Sequence, residues 1–159
     1  MAPLRLPLFA LAGLFAGSAF AQSTPVRDKN VEARLVASVS TIQPGVPFTL
    51  GLQFTIDRTW HTYWANPGET GIPTSLELTL PEGFTAGPLQ FPVPKKFITD
   101  YGFGVREAGY GYETSVIHPM TVTPPAPLTH GQKITLSGKS AWLMCDPNTC
   151  VPGKADLSI

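Results

Sequence analysis

The sequence predicts an all-β domain, an antiparallel β-sandwich of the immunoglobulin-like kind. Three observations lead there. Apolar residues recur at every second position in several segments, as they do when a strand buries one face. The 17 prolines and 15 glycines fall largely between those segments, where they supply turns rather than a low-complexity tract. No window of adequate length carries a helical apolar period. About seven short strands separated by Gly/Pro turns suit a sandwich, with a closed barrel as the structural alternative.

The first strand is "NVEARLVASVS": Val31, Ala33, Leu35, Ala37 and Val39 share one face, with Glu32, Arg34 and Ser38 opposite. "TIQPGVP" then turns the chain, because Pro44 presets φ and Gly45 accepts a positive φ. In "PFTLGLQFTID", Phe48, Leu50, Leu52, Phe54 and Ile56 alternate with Thr49, Gln53, Thr55 and Asp57. Shorter strands are expected at 75–80, with Leu76, Leu78 and Leu80 inward, and near 89–91. Another is expected at 115–122, a longer one at 133–145, and a last one after Cys150 that includes Ala155, Leu157 and Ile159. The closing "KADLSI" is a strand pattern without a polar tail, the form of a domain truncated from a longer chain. A membrane domain fused behind residue 159 is therefore an open alternative.

The opening "MAPLRLPLFALAGLFAGSAFAQST" reads as a secretory leader. Arg5 precedes an apolar run from Leu6 to Phe15, and small residues lead to Ala19-Phe20-Ala21, an A-x-A cleavage site. Residues 1–21 are thus the expected signal peptide and 22–159 the exported domain; a retained N-terminal anchor is the alternative. Without Arg5 the chain carries 10 basic and 11 acidic residues, close to neutral. With no basic patch, nucleic acid and anionic membrane are poor partners. One domain with a substantial core fits the length.

Both cysteines fall in "AWLMCDPNTCVPGK", residues 141–154. If the strands on either side of "DPNT" pair antiparallel, Cys145 and Cys150 face each other within disulfide reach. Export makes the oxidised form the expected resting state. Closing so short a loop constrains the unfolded chain by only ~2 kcal/mol on the loop-entropy model. The bond is weak as a staple and well placed as a switch. A structural disulfide remains an alternative, as does a Cu(I) clip using Met144, Cys145 and Cys150. Met144 should point to the face opposite Cys145, against a shared metal site.

Three segments in order, "TWHTYWANPGETGIPTSLEL" (59–78), "GYGYETSVIHPMTV" (109–122) and "AWLMCDPNTCVPG" (141–153), resemble the N-terminal periplasmic domain of the thiol:disulfide interchange protein DsbD and the related ScsB-type reductases. The resemblance runs from about Val31 to Ile159. It implies an immunoglobulin-like domain whose two cysteines are the redox site. Such a domain takes electrons from a thioredoxin-like protein or domain, itself supplied through a membrane domain. It passes them to oxidised periplasmic proteins such as disulfide isomerases or cytochrome c maturation proteins. By the same resemblance Cys150 forms the mixed disulfide with partners and Cys145 resolves it. The activity implied is that of a protein-disulfide reductase component, with no dissociable cofactor.

The family shields its cysteines with an aromatic cap loop, which corresponds to "FITDYGFGVREAGYGYETSV" (97–116). Tyr110 and Gly111 match the cap position, with Glu107 just before. Gly109 stands where the family's usual Phe would be, leaving Tyr101 or Phe103 as the covering ring. An ordinary hairpin with surface aromatics is the alternative. Trp60, Tyr63 and Trp64 are either a partner-docking patch or packing residues, since large aromatics dominate burial in small sandwiches. "ANPGETG" beside them is turn-rich, with Gly68 and Gly71 expected at unusual φ.

His61 and His118 have no partner at a metal-ligand spacing, and His130 reads as turn composition. Little near the cysteines in sequence would lower a thiol pKa: Asp146 is negative, and Lys139 and Lys154 lie far along their strands. No G-x-S-x-G, H-E-x-x-H or phosphate-cradling loop occurs, so hydrolase chemistry has no support. The expected function is thiol-disulfide exchange through Cys145 and Cys150. The alternatives are an exported immunoglobulin-like binding module with a structural disulfide, or a copper-binding accessory domain.

Overall fold

The computed structural model describes residues 20–159, with the backbone alone at Tyr101. The leader expectation for residues 1–21 lies almost wholly outside them. The elements are strands: β1 Ala21–Gln22, β2 Val26–Asp28, β3 Val31–Ala37, β4 Phe48–Ile56, β5 His61–Gly68, β6 Ser75–Thr79, β7 Thr85–Ala86, β8 Lys95–Gly102, β9 Val105–Glu113, β10 Ser115–Thr123, β11 Ser137–Cys145 and β12 Cys150–Ser158. No helix occurs among the described residues.

The strands form two antiparallel sheets. One has the order β1-β3-β4-β10-β7, with β2 also on β3; the other has the order β12-β11-β5-β9-β8, with β6 also on β11. This is the predicted sandwich. Two separate sheets exclude the closed barrel.

Period-two alternation builds the core as expected. Val31, Ala33, Leu35 and Ala37 of β3 and Phe48, Leu50, Leu52, Phe54 and Ile56 of β4 are all buried. Val116, Met120 and Val122 of β10 join them from the same sheet. Trp142 and Met144 of β11 and Ala155 and Leu157 of β12 meet them from the other, where the Phe54 and Trp142 rings lie 4.8 Å apart. Fully burying one Leu or Phe contributes about 1.5–3 kcal/mol. The five inward residues of β4 alone therefore outweigh the ~2 kcal/mol of the short-loop disulfide. Packing, not the sulfur bridge, holds the sandwich together.

Three expectations need correction. The segment 89–91 is not a strand. Pro88 and Pro92 bound it, proline has no N–H to offer a ladder, and one backbone bond, Gln90 N to Pro119 O at 2.8 Å, ties it to β10. Pairing of β11 starts at Ser137 rather than Lys133, preceded only by the reciprocal bonds between Leu136 and Ile159 at 2.8 and 2.9 Å. The turn-rich "ANPGETG" begins inside β5, whose pairing with β9 is irregular between Tyr63 and Gly68. The aromatic stretch 97–116 is the β8–β9 hairpin with the start of β10, turning at Phe103 and Gly104.

Candidate functional site

The site lies where β11 ends and β12 begins. Cys145 and Cys150 are direct partners in that ladder, their Cα atoms 4.1 Å apart, and they form a disulfide. The two sulfurs differ in access: Cys145 is 2% exposed, whereas Cys150 is exposed. An incoming nucleophile from solvent meets Cys150 first.

The intervening loop is held without the sulfurs. The Asp146 Oδ1 accepts the backbone N–H groups of Asn148 and Thr149, each at 2.8 Å, and the Asp146 N–H donates to the Thr149 carbonyl at 2.9 Å. This is the Asx geometry that Asp favours in turns. The carboxylate that looks like an electrostatic neighbour of the thiols in sequence is engaged in shaping the loop.

On the other side of β11, β5 supplies the surroundings of Cys145. His61 is the direct ladder partner of Cys145, and Thr62 that of Met144. Alternation then puts His61, Tyr63 and Cys145 on one face, while Met144 turns into the core. The Tyr63 hydroxyl donates to the Cys145 Sγ at 3.0 Å, and the His61 Nε2 lies 3.3 Å from the same hydroxyl. The Phe97 ring of β8 stacks on His61, centroids 4.6 Å apart. Burial lowers the His61 pKa from its ordinary value, and the charges of Glu113 and Asp146 oppose that shift. Among the described residues no three of His, Cys, Asp and Glu gather in a way that could hold a metal ion.

Residues 29–159 match the family model described as thiol:disulfide interchange protein DsbD, N-terminal. The chain belongs to the DsbD N-terminal domain family. Among solved structures, the N-terminal periplasmic domain of ScsB from Proteus mirabilis is similar at a TM-score of 0.64 with 18% identity. The match covers 89% of this chain and 51% of that one, so this chain spans about half the length of that structure. At this identity the likeness speaks for the fold. The GAE domain of GGA2p from Saccharomyces cerevisiae reaches a TM-score of 0.46 at 10% identity, over 86% of this chain and 96% of that one, too low to weigh. No curated protein matches the chain.

In a DsbD N-terminal domain the expected cap residues fall as follows. Phe103 stands at the tip of the β8–β9 hairpin, fully exposed, away from the cysteines. The side chain of Tyr101 lies outside the described residues. Tyr110 faces Trp64, ring centroids 6.4 Å apart, and Glu107 is half-buried on β9. Gly111 pairs with Tyr63 at close backbone approach: a Cβ there would overlap the Thr62 carbonyl. Gly109 pairs with Phe97, whose ring occupies the space beside it, 3.7 Å from where a Gly109 Cβ would be. The ring that lies beside His61 is that of Phe97, on the strand paired with Gly109.

Of the expected docking aromatics, Trp60 and Trp64 are half-buried against the core and Tyr63 is buried beside Cys145. In sequence, Phe97 is only the first residue of the cap stretch, and His61 reads as a weak metal-ligand candidate or, more readily, a solvated or hydrogen-bonded histidine. The signal available was the "WHTYW" spacing, which puts His61 and Tyr63 on one face of any strand. Away from the site, His118 is fully buried among the rings of Phe54, Phe91 and Tyr112. A cavity of about 850 Å³ lined by Ile42, Phe48, Leu128, Ile134 and Ile159 opens at the end of β12 opposite Cys150, remote from the sulfur chemistry.

Proposed function

We propose that this domain relays reducing equivalents by dithiol–disulfide exchange, taking them from a thioredoxin-like donor and passing them to oxidised periplasmic proteins. The observation that carries the reading is the unequal exposure of two sulfurs bridged on a hairpin, in a member of a thiol:disulfide interchange family. A donor thiolate attacks the exposed Cys150 Sγ, the bond to Cys145 breaks, and Cys145 leaves with the electron pair. A second donor thiolate then displaces Cys150, leaving the domain as a dithiol and the donor as a disulfide.

Toward an acceptor the steps reverse. The Cys150 thiolate opens the acceptor disulfide, and Cys145 attacks Cys150 in the mixed disulfide and releases the reduced acceptor. Cys145 is thus the leaving group in one direction and the resolving nucleophile in the other. In this reading residues 1–21 direct export to the periplasm and 22–159 form the exchange domain, whether its donor is a separate protein or is fused behind residue 159. Phe97, against His61, and Gly111, paired with Tyr63, border the site that a partner must reach.

Stopped-flow mixing of the oxidised domain with a reduced thioredoxin-fold protein tests the reading. Second-order reduction far faster than by glutathione at equal thiol concentration supports the relay. A rate no faster than with glutathione overturns it.

A further inference from the structure

We propose that Tyr63 and His61 act as a hydrogen-bonded pair that stabilises the Cys145 thiolate whenever the Cys145–Cys150 bond opens. Tyr63 would be a catalytic residue, because its hydroxyl touches a reacting sulfur, and His61 a positioning residue acting through Tyr63. The inference deepens the exchange reading and rests on it.

The geometry is built by the fold rather than by chance contact. Cys145 and His61 are ladder partners, and Tyr63 follows His61 on the same face of β5. The Tyr63 ring is fixed from above by Gly71: a Cβ at that position would lie 2.5 Å from the ring, and its φ of +117° suits only glycine. Gly111 of β9 pairs with Tyr63 on the other side. So held, the ring is buried, and its hydroxyl points at the Cys145 Sγ at 3.0 Å.

A phenol that donates to sulfur still has oxygen lone pairs to accept with. The His61 Nε2, 3.3 Å away, fills that role when it carries the ring proton, so the network assigns His61 its Nε2–H form. Phe97 stacks on the imidazole and keeps it in place. The other charged groups facing His61 are Glu113, its ladder partner on β9, and Asp146 of the loop. The Glu113 Oε2 is paired with the Lys95 Nζ at 2.9 Å, and the Asp146 Oδ1 with two loop amides. Neither carboxylate takes the Nε2 hydrogen from Tyr63.

The chemistry follows from where charge appears. When a donor thiolate forms its bond to Cys150, the electron pair of the broken S–S bond comes to rest on Cys145, a buried sulfur with little water to solvate it. A hydrogen bond to the charged form favours that form and lowers the barrier to producing it. No proton needs to cross: the thiolate keeps the Tyr63 hydrogen bond until it attacks Cys150 again, or takes a proton from solvent.

Two measurements on the whole chain test the pair. In a Cys150→Ala background, thiolate ultraviolet absorbance gives the pKa of Cys145 alone, without any partner protein. Tyr63→Phe should raise it by roughly one to two units, because the charged form loses its hydrogen bond. His61→Leu should raise it by less, and His61→Gln, which keeps an N–H at similar reach, should restore much of the difference. In the chain with both cysteines, Tyr63→Phe should slow reduction by a thioredoxin-fold donor about tenfold. Unchanged Cys145 pKa values in both Tyr63→Phe and His61→Leu would overturn the pair while leaving the exchange reading intact. A shifted pKa in a chain that no donor reduces would keep the thiolate contact and sink the relay. If Tyr63→Phe fails to fold, His61→Leu against His61→Gln decides by the same titration.

Discussion

Cys145 and Cys150 are partners on neighbouring strands, yet one is sealed under Tyr63 and the other faces solvent. Cys145→Ala should therefore leave a competent nucleophile that cannot be resolved. Non-reducing electrophoresis should show it accumulating mixed disulfides with thioredoxin-fold proteins through Cys150. The reciprocal Cys150→Ala variant should accumulate few. Equal trapping by both would contradict the assignment of roles.

The proposed relay requires a bond that its donors can reduce. Titration against dithiothreitol and glutathione should give a potential above about −300 mV, the level below which structural disulfides typically lie. Replacing both cysteines by Ser should cost only ~2 kcal/mol in denaturant unfolding, because the loop they close is short. A much larger loss would mark the bond as the staple this sandwich does not need.

His118 carries a pH dependence. It is fully buried among aromatic rings, and burial lowers its pKa from 6.5 to about 4, with a contact to the Gln90 backbone opposing. Between those values the unfolded chain binds a proton that the folded chain refuses, so stability falls as pH drops through the window. The loss should approach about 3 kcal/mol near pH 4. His118→Phe should remove most of this slope in denaturant melts from pH 7 to pH 4, and should match or exceed the parent at neutral pH.

Gly111 permits the close approach of β9 to β5, the strand that carries Tyr63 and His61. Gly111→Ala would force its Cβ against the Thr62 carbonyl, so β9 must shift outward. We expect a loss of roughly 2–4 kcal/mol in unfolding free energy. The near-ultraviolet circular dichroism of the tyrosines should change as well. An Ala variant as stable as the parent would show that the two strands have room to spare.

The sequence made the fold legible wherever one strand face is buried and the other is not. β3, β4, β10 and β12 show clean alternation, and all four lie near their expected positions. β5 was missed as a strand because Thr62 and Tyr63, on opposite faces, are both buried, while Asn66 and Pro67 read as a turn. β8 escaped notice for the converse reason. Exposed Lys95, Lys96, Ile98 and Asp100 leave it without a buried stripe, and pairing with β9 makes it a strand.

At the site, the cysteine hairpin could be read locally because its two partners are five residues apart. The Tyr63–Cys145 contact joins residues 82 apart, and no local pattern encodes the register of β5 on β11. Phe97 was hidden behind the same difficulty. Its position depends on the ladder that pairs it with Gly109.

The Asp146 clasp and the β11–β12 ladder also govern what happens after the sulfur bond has been cut. Every pair from Ser137↔Ser158 to Met144↔Val151 is held by backbone pairing rather than by the sulfurs, and the loop has its own amide bonds. The separated thiols therefore cannot diffuse apart, and each meets the other at an effective molarity far above that of any competing thiol in solution. On the proposed relay, a mixed disulfide formed at Cys150 is consequently short-lived: the backbone keeps Cys145 beside it, and discharge of the partner requires no folding event.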